Sequence, residues 1–125
     1  KLNKEIKKHD VKILYHSCGA IYDLIDPIID EMHIDMLTPL QPRAVKMDMQ
    51  NIKDTFGGRV AFHGAVDIQH TMPFGTTQEV TDEVRARCQI LGKGGGYVCT
   101  TAHYIQGDTP VENILALYAA DRSAN

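Results

Sequence analysis

Two short stretches of this sequence each combine a cysteine with a histidine and could bind a metal ion. His16 and Cys18 end one apolar run, and Cys99 and His103 end a second run near the other end of the chain. Because side chains alternate between the two faces of a strand, His16 and Cys18 would point the same way. Catalytic zinc takes three protein ligands and leaves one position open, so His16, Cys18 and Cys99 predict a zinc site. Buried core cysteines with a hydrogen-bonded histidine are the alternative.

Other polar residues lie where strands are expected to end. Asp67 follows the apolar run around His63, and its carboxylate could act as a general base or orient a substrate. It could equally cap the next turn through a local hydrogen bond. His103 could bind substrate, act as an acid or orient a metal ligand, and a surface histidine is the alternative. Gln41 follows another apolar run and joins this group.

Short apolar runs alternate with amphipathic segments, a pattern that predicts four successive strand–helix units. Pro27 falls inside the second predicted helix and is expected to kink or interrupt it. Gly94, Gly95 and Gly96 follow a helix and precede a strand, which favours a tight turn over a phosphate-binding loop. Strands are predicted at residues 11–16, 34–40, 60–66 and 97–101, and helices at residues 1–9, 20–32, 48–56, 76–91 and 111–120.

This alternation of strands and helices predicts an α/β fold with parallel strands and right-handed crossovers. A small open doubly wound sheet and a (βα)4 half of an eight-stranded TIM barrel both satisfy the pattern, and a chain that starts inside a helix favours the half barrel. In either architecture the functional groups are expected at the carboxyl ends of the strands. Four parallel strands would leave two unpaired edges, so the chain is expected to form a homo-oligomer.

The composition excludes several classes of protein. The 125 residues are 43% hydrophobic and 23% charged, which is typical of a single globular domain over residues 1–125. A net charge of −3 gives no electrostatic footprint for nucleic acid or an anionic membrane, and no apolar run is long enough to span a bilayer. Three cysteines, an odd number, predict reduced thiols and a cytoplasmic location. Cys88 lies in a helical pattern and is predicted to be a buried small hydrophobe.

Six motifs carry a resemblance to a known family. They are His16-Ser17-Cys18-Gly19, Leu37-Thr38-Pro39-Leu40-Gln41-Pro42, Phe62-His63-Gly64-Ala65-Val66-Asp67-Ile68-Gln69, Gly94-Gly95-Gly96-Tyr97, Ala102-His103-Tyr104-Ile105-Gln106 and Pro110-Val111-Glu112-Asn113-Ile114. Together they resemble the C-terminal half of the uroporphyrinogen decarboxylase superfamily. The resemblance covers nearly all of the chain from Val11 onward. It is closer to the cobalamin-dependent methyltransferase branch than to the true decarboxylases.

The resemblance implies a (βα)8 barrel in which this chain supplies the last four units. It implies zinc at the barrel mouth, bound by His16, Cys18 and Cys99. The metal would hold a thiol substrate as the thiolate, and a methyl group would move between this thiol and a methylcobamide carried by a partner corrinoid protein. The implied catalytic residues are His103 and Asp67. The residues implied to bind substrate are Gln41, His63, Gln69 and Gln106.

Two other functions stay open at this point. One is decarboxylation of a tetrapyrrole, as in the decarboxylase branch, which needs no metal. The other is a non-catalytic fragment that keeps the fold but lacks half of an active site. Some zinc methyltransferases place a carboxylate near the end of the strand that follows the His-x-Cys motif. Residues 38–41 contain no acid here, so the fourth zinc ligand is left open.

Overall fold

The computed structural model describes residues 2–122 and shows a four-stranded parallel sheet with the order β1-β2-β3-β4. This confirms the predicted α/β architecture of four consecutive strand–helix units, as in half of a TIM barrel. The strands are β1 Leu14–His16, β2 Met36–Leu40, β3 Ala61–Val66 and β4 Tyr97–Thr101. The α-helices are α1 Leu2–Ile6, α2 Ile25–Met32, α3 Met49–Phe56, α4 Thr71–Phe74, α5 Thr77–Leu91 and α6 Val111–Ala119, with 3-10 turns at Lys7–His9 and Tyr22–Leu24.

The elements differ from prediction mainly at their ends. β1 begins at Leu14 and is three residues long, and the helix predicted at 20–32 divides into a 3-10 turn and α2. Pro27 is the third residue of α2, where a backbone N–H would have no intrahelical partner, so the helix accommodates it in its first turn. The short α4 was not predicted. Within residues 2–122, no helix is long and apolar enough to cross a membrane.

The two faces of the sheet have different partners. Tyr15, Leu37, Phe62 and Tyr97 are paired in register across all four strands, and this row packs against the helices. Leu37 and Phe62 are fully buried there. Residues of the opposite parity point to the other face, where Leu14 remains exposed. Helices surround the strands in a βα barrel, so this second, open face corresponds to the barrel interior.

Helix starts and turns follow the local signals in the sequence. Thr76 and Glu79 form a capping box at the start of α5. Hydrogen bonds from the amide and hydroxyl of Thr76 lower the pKa of Glu79. Gly94 to Gly96 all have positive φ and make the turn between α5 and β4, and Lys53 Nζ donates to Gly95 O (2.8 Å). This confirms a turn rather than a phosphate cradle.

A buried asparagine ties the last helix to the loop region that follows β3. Asn113 on α6 is buried, and its Nδ2 donates to Met72 O (2.9 Å) and to Gly75 O (2.7 Å). Both carbonyls lie in or just after α4. The amide therefore satisfies two carbonyls that would otherwise be left without a side-chain donor.

Gly64→Ala is expected to lower the free energy of unfolding by about 1–3 kcal/mol. Gly64 has a φ of +105°, and a Cβ at this position would lie 3.2 Å from Pro39 Cβ and 3.4 Å from Leu40 N. Gly58→Ala is the matched control, because a Cβ there meets nothing within 4 Å. Urea unfolding followed by circular dichroism measures both variants. Equal midpoints for the two would contradict a steric requirement at Gly64.

Candidate active site at the carboxyl ends of the strands

The open face of the sheet carries a cleft of about 450 Å³ at the carboxyl ends of the strands. We call it the histidine cleft, because the imidazoles of three histidines from three different segments line it. Parallel strands all end at the same edge, which is why residues so far apart in sequence meet here. The lining residues are Leu14, His16, Thr38, Pro39, His63, Thr100, Thr101, Ala102, His103, Tyr104 and Ile105.

His16 and His103 face each other across this cleft. Their ring centroids are 6.2 Å apart and the ring planes are nearly perpendicular, at 86°. His103 also contacts the ring of Tyr104, at 5.2 Å between centroids. The backbone of the loop is held by Thr101, whose Oγ1 donates to His103 O (2.6 Å). Both imidazoles are exposed and therefore accessible to solvent or a ligand.

His63 is the third imidazole and is held more firmly. Its Nδ1 lies 2.9 Å from Thr38 Oγ1, across the β2–β3 pair. His63 is half-buried, whereas Thr38 is buried. The hydrogen bond fixes one ring nitrogen and leaves the other for a ligand. The sequence analysis places His63 near the site but does not identify Thr38. The only indication of Thr38 in the sequence is a hydroxyl group near the end of an apolar run.

Cys99 lies on the opposite face of the sheet from these histidines. It has the same parity as Tyr97 in β4 and packs with the cluster formed by α5 and α6. Its thiol lies near that of Cys88 on α5 and helps to raise the pKa of the Cys88 thiol. His16, Cys18 and Cys99 therefore do not fit one zinc ion, because Cys99 is on the helix side. Among residues 2–122, no group of three or more His, Cys, Asp or Glu side chains is placed to hold a metal.

Burial on the helix side changes the acidity of the groups there. Cys88 is buried as predicted, and burial, with the adjacent Cys99 thiol as the next cause, raises its pKa to about 12. Burial also raises the pKa of Tyr97, again with Cys99 as the next cause. The Tyr97 hydroxyl donates to Gly64 O (2.6 Å) and remains a neutral donor. These groups act as packing and hydrogen-bonding residues rather than as acids.

Asp67 lies at a second cleft, of about 460 Å³, and not in the histidine cleft. Its side chain is buried, and its Oδ1 accepts a hydrogen bond from Gln69 N (2.8 Å). Its Oδ2 is 3.6 Å from Arg43 Nη1. The structure thus contains the local hydrogen bond by which Asp67 was expected, as one alternative, to cap the next turn. Arg43 was not identified from the sequence, since its contact with Asp67 spans 24 positions.

The three glutamines predicted to bind substrate lie outside the histidine cleft. Gln41 Oε1 accepts from Gly19 N (2.8 Å) and so holds the loop that follows His16. Gln69 and Gln106 are both exposed. Of the residues predicted for catalysis or substrate, His63 and His103 are the two that line the cleft together with His16.

Comparison with protein families adds the decisive observation. The family model described as Uroporphyrinogen decarboxylase (URO-D) matches residues 1–123. The chain belongs to the uroporphyrinogen decarboxylase family. No curated protein matches the sequence significantly.

Membership of the uroporphyrinogen decarboxylase family agrees with the barrel-like arrangement and with a site at the carboxyl ends of the strands. Members of this family are generally enzymes. The histidine cleft combines imidazoles, which can transfer protons, with apolar walls.

The thiols are expected to react at very different rates. Cys18 is exposed, whereas Cys88 is buried with a pKa of about 12, so only about one Cys88 in 10,000 would be a thiolate at pH 8. A thiol-reactive disulfide reagent at pH 8 should therefore show a fast phase that Cys18→Ser removes. Cys88→Ala is the control and should keep this phase. A fast phase that survives Cys18→Ser would contradict the placement of Cys18.

Proposed function

We propose that this chain provides the C-terminal half of an enzyme that moves a methyl group between a corrinoid protein and a thiol. The observation that carries the proposal is the position of His16. It lines the histidine cleft at the end of β1, and the exposed Cys18 follows two residues later. Thiol methylation requires a proton acceptor beside the thiol of the substrate, and the imidazole of His16 can take that role in the cleft.

The reaction can be written from the residues of the cleft. An imidazole accepts the proton of the substrate thiol, and the thiolate attacks the methyl carbon bound to cobalt. A sulfur–carbon bond forms and the cobalt–carbon bond breaks. The electron pair of the broken cobalt–carbon bond stays on cobalt as Co(I). His16 and His103 are exposed within the cleft, and their imidazoles are the groups there that can accept this proton. Pro39, Ala102 and Ile105 supply the apolar wall beside them.

Zinc in this branch would lower the pKa of a bound thiol. The three ligands predicted from the sequence do not share a face of the sheet, so the proton of the thiol is assigned to an imidazole of the cleft. The corrinoid protein and the methylcobamide are likewise proposals, which follow from the resemblance of the motifs.

Decarboxylation of a tetrapyrrole is a second candidate, and the three imidazoles of the histidine cleft favour it. Loss of CO2 from an acetate side chain leaves a carbanion, which must be protonated at carbon. His16, His63 and His103 line one cleft from three segments and could supply that proton. This reaction requires no metal ligand.

Methyl transfer is tested with methylcobalamin and a small thiol under anaerobic conditions. We expect loss of the methylcobalamin spectrum with formation of the methyl thioether, and at least a tenfold slower rate for His16→Ala. His9→Ala is the matched control, since this exposed histidine lies in a 3-10 turn and is not one of the residues that line the cleft. A folded chain that gives no thioether but releases CO2 from a porphyrinogen would overturn methyl transfer in favour of decarboxylation. If the folded chain forms neither the thioether nor CO2, the result would favour a non-catalytic fragment.

We also propose that copies of this chain associate through the open face and the edge strands. Leu14 (55% exposed) and Val98 (45% exposed) lie on this face, and β1 and β4 are the edges of the described sheet. Light scattering should show a dimer or larger species, and Leu14→Lys with Val98→Lys should reduce its mass. Val111→Lys, on α6, is the control. A stable wild-type monomer at high concentration would contradict the proposal.

A further inference from the structure

We infer that Thr38 is a positioning residue for His63. The Thr38 hydroxyl holds the His63 imidazole in the neutral tautomer whose proton is on Nε2. His63 then presents a hydrogen-bond donor to a ligand in the histidine cleft, and it does not accept the proton of the substrate. The role of this donor in the reaction rests on the proposed function, whereas the tautomer itself can be measured without any reaction.

The parallel register places the two side chains beside each other. Leu37 of β2 pairs with Phe62 of β3 on the helix side of the sheet. The next residue of each strand, Thr38 and His63, therefore turns to the open face. Their side chains meet there, with Thr38 Oγ1 2.9 Å from His63 Nδ1. His16 pairs with Thr38 on the other side, so the hydroxyl belongs to a strand whose two neighbours each carry an imidazole.

The direction of this hydrogen bond follows from the burial of Thr38. The residue is 6% exposed, and a buried hydroxyl proton needs an acceptor. Within residues 2–122, the contact with His63 Nδ1 is the one hydrogen bond that the Thr38 hydroxyl makes. With the ring proton on Nδ1, the hydroxyl would have to accept it, and the proton of the hydroxyl would be left without a partner. The hydroxyl therefore donates to Nδ1, and the neutral ring carries its own proton on Nε2.

The other two imidazoles of the cleft are held differently. Within the described part of the chain, the ring nitrogens of His16 and His103 make no hydrogen bond to the protein, and both residues are exposed. Each of these rings keeps a nitrogen lone pair that can accept a proton, whereas the lone pair of His63 is engaged by Thr38. The cleft thus combines one fixed donor with two proton acceptors.

A fixed N–H donor in the cleft favours a ligand with an anionic acceptor atom. A hydrogen bond to an ionised group is roughly twice as strong as one between neutral groups. The described residues that line the cleft include no Asp or Glu that would compete for this donor. In methyl transfer the acceptor would be the thiolate sulfur of the substrate, whose proton has passed to His16 or His103. In decarboxylation it would be a carboxylate oxygen.

Nitrogen-15 NMR of the histidine rings measures the tautomer directly. The signals of His63 are identified by their loss in His63→Gln. In the wild type at mildly alkaline pH, we expect Nδ1 to resonate as an unprotonated ring nitrogen and Nε2 as a protonated one. Thr38→Val keeps the shape of the side chain and removes the hydroxyl, so the ratio of the Nδ1–H to the Nε2–H tautomer should rise at least about threefold. Thr38→Ser should restore the wild-type ratio.

Thr100→Val is the matched control, because it removes another hydroxyl from the lining of the cleft, one that is not bonded to His63. Its tautomer ratio should equal that of the wild type. Circular dichroism checks that each variant is folded, and Thr38→Ala replaces Thr38→Val if the latter does not fold. A wild type with the His63 proton on Nδ1 would overturn the inference, and so would a folded Thr38→Val with the wild-type ratio.

A second readout tests the donor role in the methylcobalamin assay. His63→Gln retains an amide N–H donor and has no basic nitrogen, whereas His63→Leu removes both. We expect His63→Gln to keep the rate within about threefold of the wild type and His63→Leu to be at least about tenfold slower. Equal losses in the two folded variants would refute the donor role. A wild type that shows the Nε2–H tautomer without methyl transfer would leave the position of the proton standing and refute only the proposed function.

Discussion

The alternation of side chains between the two faces of the sheet is the constraint on which this structure depends. The register aligns Tyr15, Leu37, Phe62 and Tyr97 in one row, and the helices cover that row. A shift of any strand by one residue would turn its apolar side chains away from the helices and its polar ones toward them. The burial of Leu37 and Phe62 on the helix side therefore also fixes the positions of the residues on the other face.

The same alternation separates the ionisable groups into two environments. On the helix side, the thiol of Cys88 and the hydroxyl of Tyr97 are held protonated by burial. On the open side, the imidazoles of His16 and His103 keep access to water. The sheet thus keeps one group of residues inert and the other reactive, and a single-residue difference in strand position decides to which group a side chain belongs.

The sequence predicted the architecture because the periods of its apolar residues are local signals, and so is the capping threonine of α5. It did not predict the face of Cys99. β4 contains apolar residues of both parities, so Tyr97 and Cys99 could not be distinguished from Val98 as the buried set. Asp67 shows the same limit of prediction. Its hydrogen bond to Gln69 N caps a local turn, which the sequence analysis included as an alternative, whereas Arg43 approaches from another strand–helix unit. Contacts of this kind depend on register and loop path, which one sequence does not encode locally.

The amide of Asn113 couples two parts of the chain that are far apart in sequence. Because it donates to Met72 O and Gly75 O at once, α4 cannot separate from α6 without leaving two carbonyls unpaired. A four-residue helix such as α4 has little stability of its own. Its opening should therefore follow the detachment of α6, so that both behave as one cooperative unit in native-state hydrogen exchange. The segment that leads from β3 into α5 thus derives its rigidity from the last helix described.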